Sequence, residues 1–210
     1  MTNIIREACI EGFGEALKAQ EMGADRVELC ENLAEGGTTP SIGTIIMCKK
    51  VLQIPIVVMV RPRGGNFVYT DYEIAIMEHD IKACRDAGAD GIAIGILDKQ
   101  NHADIGTLLR LLKHAGNMKI TFHKAIDVTT DIETEFIRLR ESGLVHRVLT
   151  SGGQPDALTG AEMLKKLVEL SADKINIVVA GKVTGKNLAQ LSGLIPAREF
   201  HGKQIVTVSH

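Results

Sequence analysis

Acids and thiols share the short apolar segments of this chain. In "REACI" Glu7 and Cys9 lie two positions apart, and in "RVELC" so do Glu28 and Cys30. Alternate side chains of an extended chain share a face, so each acid points the same way as its thiol. Arg61 and Arg63 sit in "VMVRPRGG", His123 in "TFHKAID", His201 in "EFHG", and a turn of small residues, Thr150 to Gly153, ends "RVLTSGG". These types make an acid/base set around a small anion. Glu7 or His123 can move a proton, with Glu28 beside them. Arg61 and Arg63 offer planar forks for carboxylate or phosphate. The N–H groups of Thr150, Ser151, Gly152 and Gly153 can hold an oxyanion. Lyase, isomerase or hydrolase chemistry on a small anionic substrate fits that set. For Arg61 and Glu28 there is also a plainer reading, an internal salt bridge that only stiffens the fold.

Alternation of apolar runs and amphipathic stretches says what positions them. Strands are expected near 4–10, 26–30, 55–61, 90–96, 119–124, 146–150, 175–180 and 197–201. Helices are expected near 12–22, 41–52, 71–87, 101–114, 130–141, 159–172 and 185–192. Capping boxes are predicted at Thr70/Glu73, Thr130/Glu133 and Thr159/Glu162, where a hydroxyl and a glutamate satisfy free backbone N–H groups. "GADRVEL" at 23–29 and "GADGIAI" at 88–94 are near copies of one helix–turn–strand unit. Eight evenly spaced strands alternating with helices predict a single α/β domain over residues 1–210, a (β/α)8 TIM barrel. Only "GKQIVTVSH" follows the last strand, so the eighth helix is reduced or missing. That gap is expected to bare apolar strand surface near 4–10 and 197–201 and to favour a homodimer or larger assembly.

In such a barrel the strand face toward the helices must be apolar. Val27 and Leu29 therefore go outward, and Glu28 and Cys30 line the interior. The same rule turns Glu7, Cys9, Met59, Arg61, Thr121, His123, Asn176, Glu199 and His201 inward, while "VHRVLT" alternates too poorly to assign. Buried carboxylates need partners, and Arg61, Arg63 or His123 are the expected ones for Glu7 and Glu28.

Composition narrows the class. With 45% apolar and 24% charged residues, the 210-residue chain can bury a sizeable core. A net charge of −2 without a basic block argues against nucleic acid and against an anionic membrane surface. No stretch reaches the roughly 20 apolar residues of a membrane helix, and "MTNIIREACIEGF" lacks a signal-peptide pattern. A cytoplasmic protein is expected. Four widely spaced cysteines without CxxC suit reduced thiols.

The stretches "EACIEGFGEAL", "GADRVELCENLAEGGTTPSIG", "VMVRPRGGNFVYT", "GADGIAIGILD", "TFHKAID", "RVLTSGG" and "EFHG" span residues 7 to 201. On them the chain resembles the CutC family, named for copper homeostasis. The resemblance implies a TIM barrel, a cytoplasmic location, copper handling and homo-oligomers. It points to Cys9 and Cys30 as the copper thiols. Glu7, Glu28, Arg61, Arg63, His123 and Thr150 to Gly153 match the rest of the pocket, and Asn32 and His201 fall inside matched stretches as candidates for substrate contact. Cu(I) is soft and takes thiolate and thioether ligands. Cys9 and Cys30, read at equal heights on neighbouring strands about 5 Å apart, are expected to hold one Cu(I), with Met59 or His123 as an extra ligand.

Overall fold

The computed structural model describes residues 4–206. Eight parallel strands close into a barrel in sequence order, β8 pairing back onto β1. They are β1 (Ile5–Glu11), β2 (Arg26–Cys30), β3 (Ile56–Met59), β4 (Gly91–Ile94), β5 (Lys119–Phe122), β6 (Arg147–Thr150), β7 (Asn176–Val179) and β8 (Glu199–Gly202). Between them run α1 (Gly12–Glu21), α2 (Ile42–Val51), α3 (Asp71–Asp86), α4 (Ile105–Leu112), α5 (Ile132–Ser142), α6 (Ala161–Ser171) and α7 (Leu188–Leu194). No helix follows β8 among the described residues. Every expected strand and helix is present. The largest shift is at α4, because the Asp98 carboxylate takes the N–H groups of Gln100 and His102 and holds a turn there. Asp104 then caps the helix on Thr107.

Two apolar regions confirm the strand register. Outside the barrel, Ala8, Ile10, Val27, Leu29, Val58, Ile92, Phe122 and Val148 join one buried core with the helices. Inside, Cys9, Cys30, Val57, Met59 and Ala93 form a separate small cluster. Leu149, Val178 and Ala180 form another, which settles the ambiguous strand: Arg147 and Leu149 share the inward face.

The bare patch expected beside β8 is not there. Phe200 and Ala8 are fully buried, in one core with Leu191, Ile195 and Ile205. Self-association loses its support from that face. Of the segment 202–210, Gly202 ends β8 and Gln204 bridges to Thr184, while 207–210 lie outside the described residues. No helix among the described residues is long and apolar enough to cross a membrane.

Only one of the three expected capping boxes forms. Thr70 Oγ1 accepts from Glu73 N, and the Glu73 carboxylate takes Thr70 N in return. At α5 the cap is Asp131, whose carboxylate accepts from Glu133 and Thr134, so Thr130 stands one place too early. At α6 the cap is Gly160, and the Thr159 hydroxyl turns back to Asp156. Aspartate out-competes the neighbouring threonine because its charge also favours the helix N-terminus. Thr70→Ala and Asp131→Ala should each lower stability by about 1 kcal/mol in urea unfolding, whereas Thr130→Ala should change it by less than half as much. Equal losses at Thr130 and Asp131 would contradict the cap assignment.

Candidate functional site in the barrel lumen

The lumen is built around one buried cation. Arg26 opens β2 on the same face as Glu28, and its guanidinium donates to Glu7 through Nε and to Glu199 through Nη2, the latter at 2.6 Å. Glu7 also accepts from His201 Nδ1 at 2.8 Å. Asn176 completes Glu199 at 2.8 Å, and Arg147 donates to Thr121 at 3.1 Å. Glu7 and Glu28 are therefore not paired with Arg61, Arg63 or His123, as alternation alone had suggested. Their partners lie on β2 and β8, the strands flanking β1.

Above this floor stand the acid and the thiols. Cys9 lies opposite Glu28 in the register, and Cys30 lies opposite Glu11. The two cysteines are thus not at equal heights, because Cys30 is two residues further along its strand. Their side chains still converge. The ligand atoms of Cys9, Glu28 and Cys30 all lie within 4.8 Å of one another, and so do those of Glu7, Glu28 and His201. Cys30 Sγ donates to Glu28 Oε2 at 3.6 Å, and His201 Nε2 faces the same oxygen at 3.6 Å.

Burial and charge then divide the acids. Burial pushes Glu7 up, but the hydrogen bond from His201 and the charge of Arg26 outweigh it and hold the carboxyl at about 2. Arg26 faces the carboxylates of Glu7 and Glu199, and His201 lies closer to Glu7, at 2.8 Å, than to Glu28, at 3.6 Å, so Glu28 has only a shared cation. Burial pushes Glu28 up to about 8 against the pull of His201, and the neighbouring Cys9 and Glu7 add to the rise. A hydrogen bond from Cys30, helped by His201, brings Cys9 well below the ordinary thiol range although burial opposes it. The same bond and burial drive Cys30 up. Burial also works against a charged His201, yet Glu28, Cys9 and Glu7 carry it well above the usual imidazole value.

A cavity of about 570 Å³ opens from these groups toward the strand C-termini. Its walls include Cys9, Glu28, Met59, Arg61, His123 and His201. Arg61 serves mainly to hold loops: Nη1 donates to the carbonyls of Glu35 and Gly37, and Nη2 to that of Gly65. Burial, with the charge of Arg61 adding, pushes His123 down to about 3, so its ring is neutral. Gly95 makes room for that ring, since a Cβ there would stand 2.3 Å from His123 Cε1.

Other expected site residues lie outside this cavity. Arg63 is partly exposed and pairs with Glu73. Asn32 is exposed with φ 57°, and its backbone N–H donates to Glu11. Thr150 and Ser151 are fully buried. Asp127 fills the cradle proposed for an external anion: Thr150 Oγ1, Ser151 N and Gly153 N all donate to its carboxylate, and Gly152 N donates to Thr150 Oγ1. Two groups were missed from sequence. Arg26 was visible by its parity with Glu28, and Lys124, which lines the cavity and pairs with Asp127, adjoins His123.

The family model of the CutC family matches residues 4–206. The chain belongs to the CutC family. A copper homeostasis protein cutC homolog from Homo sapiens is 39% identical over 94% of this chain and 72% of its own length. A family protein CutC from Xanthomonas campestris is 40% identical over 93% of this chain and 81% of its own. A crystal structure of CutC from Streptococcus agalactiae superposes with a TM-score of 0.91 at 36% identity, covering 96% of this chain and 99% of that one. Deoxyribose phosphate aldolase from Aeropyrum pernix, at a TM-score of 0.72 but 13% identity over 97% and 87% of the two chains, shares the barrel fold alone.

Arg26→Met should cost about 3–5 kcal/mol at pH 7, because it leaves two carboxylates buried without their cation. The deficit should shrink on acidification. Without Arg26 the folded pKa of Glu7 rises, with His201 alone left to pair it, so the variant's folded state binds more protons than the parent's and its deficit narrows as pH falls. The parent protein loses the contribution of Glu7 as pH falls from 4.5 toward about 2. Urea unfolding of both proteins at pH 5 and pH 8 checks this; an equal deficit at the two values would contradict the ion cluster.

Proposed function

We propose that this CutC-family chain binds Cu(I) in the reducing cytoplasm through Cys9 and Cys30. The observation that carries the reading is the convergence of two free, buried thiols within 4.8 Å inside the lumen. Two metal–sulfur bonds of roughly 2.3 Å each, the zinc–thiolate length, span about that separation. Met59 packs in the same small cluster and adds a thioether, and this soft set suits Cu(I) better than a hard divalent ion. Charge also fits. Cu(I) on two thiolates carries one net negative charge, and His201, held protonated beside Cys9, answers it.

Cys48 and Cys84 make an internal control. They sit on α2 and α3 in the outer core, where burial raises both thiols, Cys84 to about 12. They are packing residues, inert toward metal. Chelator competition under anaerobic conditions should show Cu(I) affinity abolished in Cys9→Ser/Cys30→Ser and unchanged in Cys48→Ala/Cys84→Ala. His201→Gln, which removes the charge beside Cys9, should weaken binding by about 10–100-fold. An unchanged affinity in the Cys9/Cys30 double variant would remove the thiol site.

A further inference from the structure

A copper ion needs only a small part of the lumen mouth. The cavity of about 570 Å³ lies in the range of sites for small organic molecules, whereas one water's share of liquid is about 30 Å³. Leu33, Met59 and Leu149 give it an apolar wall. Two side chains in that wall hold buried donors without a hydrogen-bond partner, and the equally unpartnered Tyr69 hydroxyl lies beside Arg61. Arg61 is 5% exposed and His123 4% exposed, and Arg61 Nε and His123 Nε2 are buried without a hydrogen-bond partner. The histidine atom is a donor by geometry. Its Nδ1 accepts from Ala125 N at 3.2 Å, so the neutral ring carries its proton on Nε2. Unpaired buried donors are costly, typically 1–3 kcal/mol each, and a pair of them in one cavity wall marks a place for an oxygen acceptor.

The mouth supplies the matching charge. Lys182 and Lys203 line it, Lys182 being 74% exposed with only a 3.5 Å contact to Asp156, and Lys203 donating to the Leu33 carbonyl at 3.4 Å. Lys203 has no carboxylate partner among the described residues, and Lys182 shares its charge with Asp156 only at 3.5 Å. The Phe67 ring stands 5.0 Å from both the Arg61 guanidinium carbon and the His123 ring, in the same wall.

We infer that this cavity binds a small organic acid, an acceptor oxygen seated on His123 Nε2–H and Arg61 Nε–H and its oxyanion group held by Lys182 and Lys203. Carboxylate and phosphate esters share this chemistry. The cavity also borders Cys9, but the groups that hold the acid are other side chains than the two thiols, so binding does not require copper.

The test uses metal-free full-length protein with 2-oxoglutarate as the carboxylate probe, glycerol 3-phosphate as the phosphate probe and glycerol as the neutral control. Saturation-transfer NMR and calorimetry should show saturable binding of at least one anion and none of glycerol, and which anion binds identifies the headgroup. Affinity should fall by about tenfold or more in His123→Phe, and likewise in Lys182→Ala/Lys203→Ala, whose exposed positions leave folding intact. It should persist in Cys9→Ser/Cys30→Ser. Binding of neither anion, equal binding of glycerol, or undiminished affinity in the lysine double variant would overturn the inference.

Discussion

A guanidinium buried at the bottom of a closed barrel dictates much of what stands above it. Arg26 is only 6% exposed, so it must be met by acids, and β1 and β8 supply Glu7 and Glu199. Glu7 then orients His201, which in turn faces Glu28 and the Cys9 thiol. The charge on each member follows from the one beneath it. With the cations already matched, Glu28 is the acid left protonated and Cys9 the thiol most easily ionised.

This arrangement gives up stability for a site. Barrel interiors are ordinarily filled by branched apolar side chains, and apolar replacements of buried ion clusters are often neutral or stabilising. Here the apolar filling is confined to small clusters such as Cys9, Cys30, Val57, Met59 and Ala93, and the outer layer between strands and helices supplies the bulk of the core. That division lets the lumen carry charge and soft sulfur together. The loops complete it, with Arg61 tying the β2 and β3 loops and Asp127 tying the β6 turn by hydrogen bonds.

Alternation made the lumen legible. Once Val27 and Leu29 are assigned outward, Glu28 and Cys30 have to be inward, and the same parity places Glu7, Cys9, His123 and His201. Alternation is silent about which inward residues touch. Strands in a barrel are staggered, so Cys9 meets Glu28 in the ladder rather than Cys30, and Glu7 finds Arg26 and His201 rather than Arg61. Arg63 and Asn32 sit beyond strand ends, where parity no longer holds and local turns decide direction. The Thr150 to Gly153 turn was recognisable as an anion cradle, yet nothing in the local sequence revealed that Asp127, more than twenty residues earlier, already fills it.

Stagger and charge together deliver two sulfurs to one point in the lumen, the site proposed for Cu(I). X-ray absorption at the copper edge of the Cu(I)-loaded protein tests it most directly. Two or three sulfur neighbours around copper, lost when Cys9 and Cys30 are both serine, are the predicted result. A first shell of nitrogen and oxygen alone, or a sulfur shell that survives in the double variant, would contradict it.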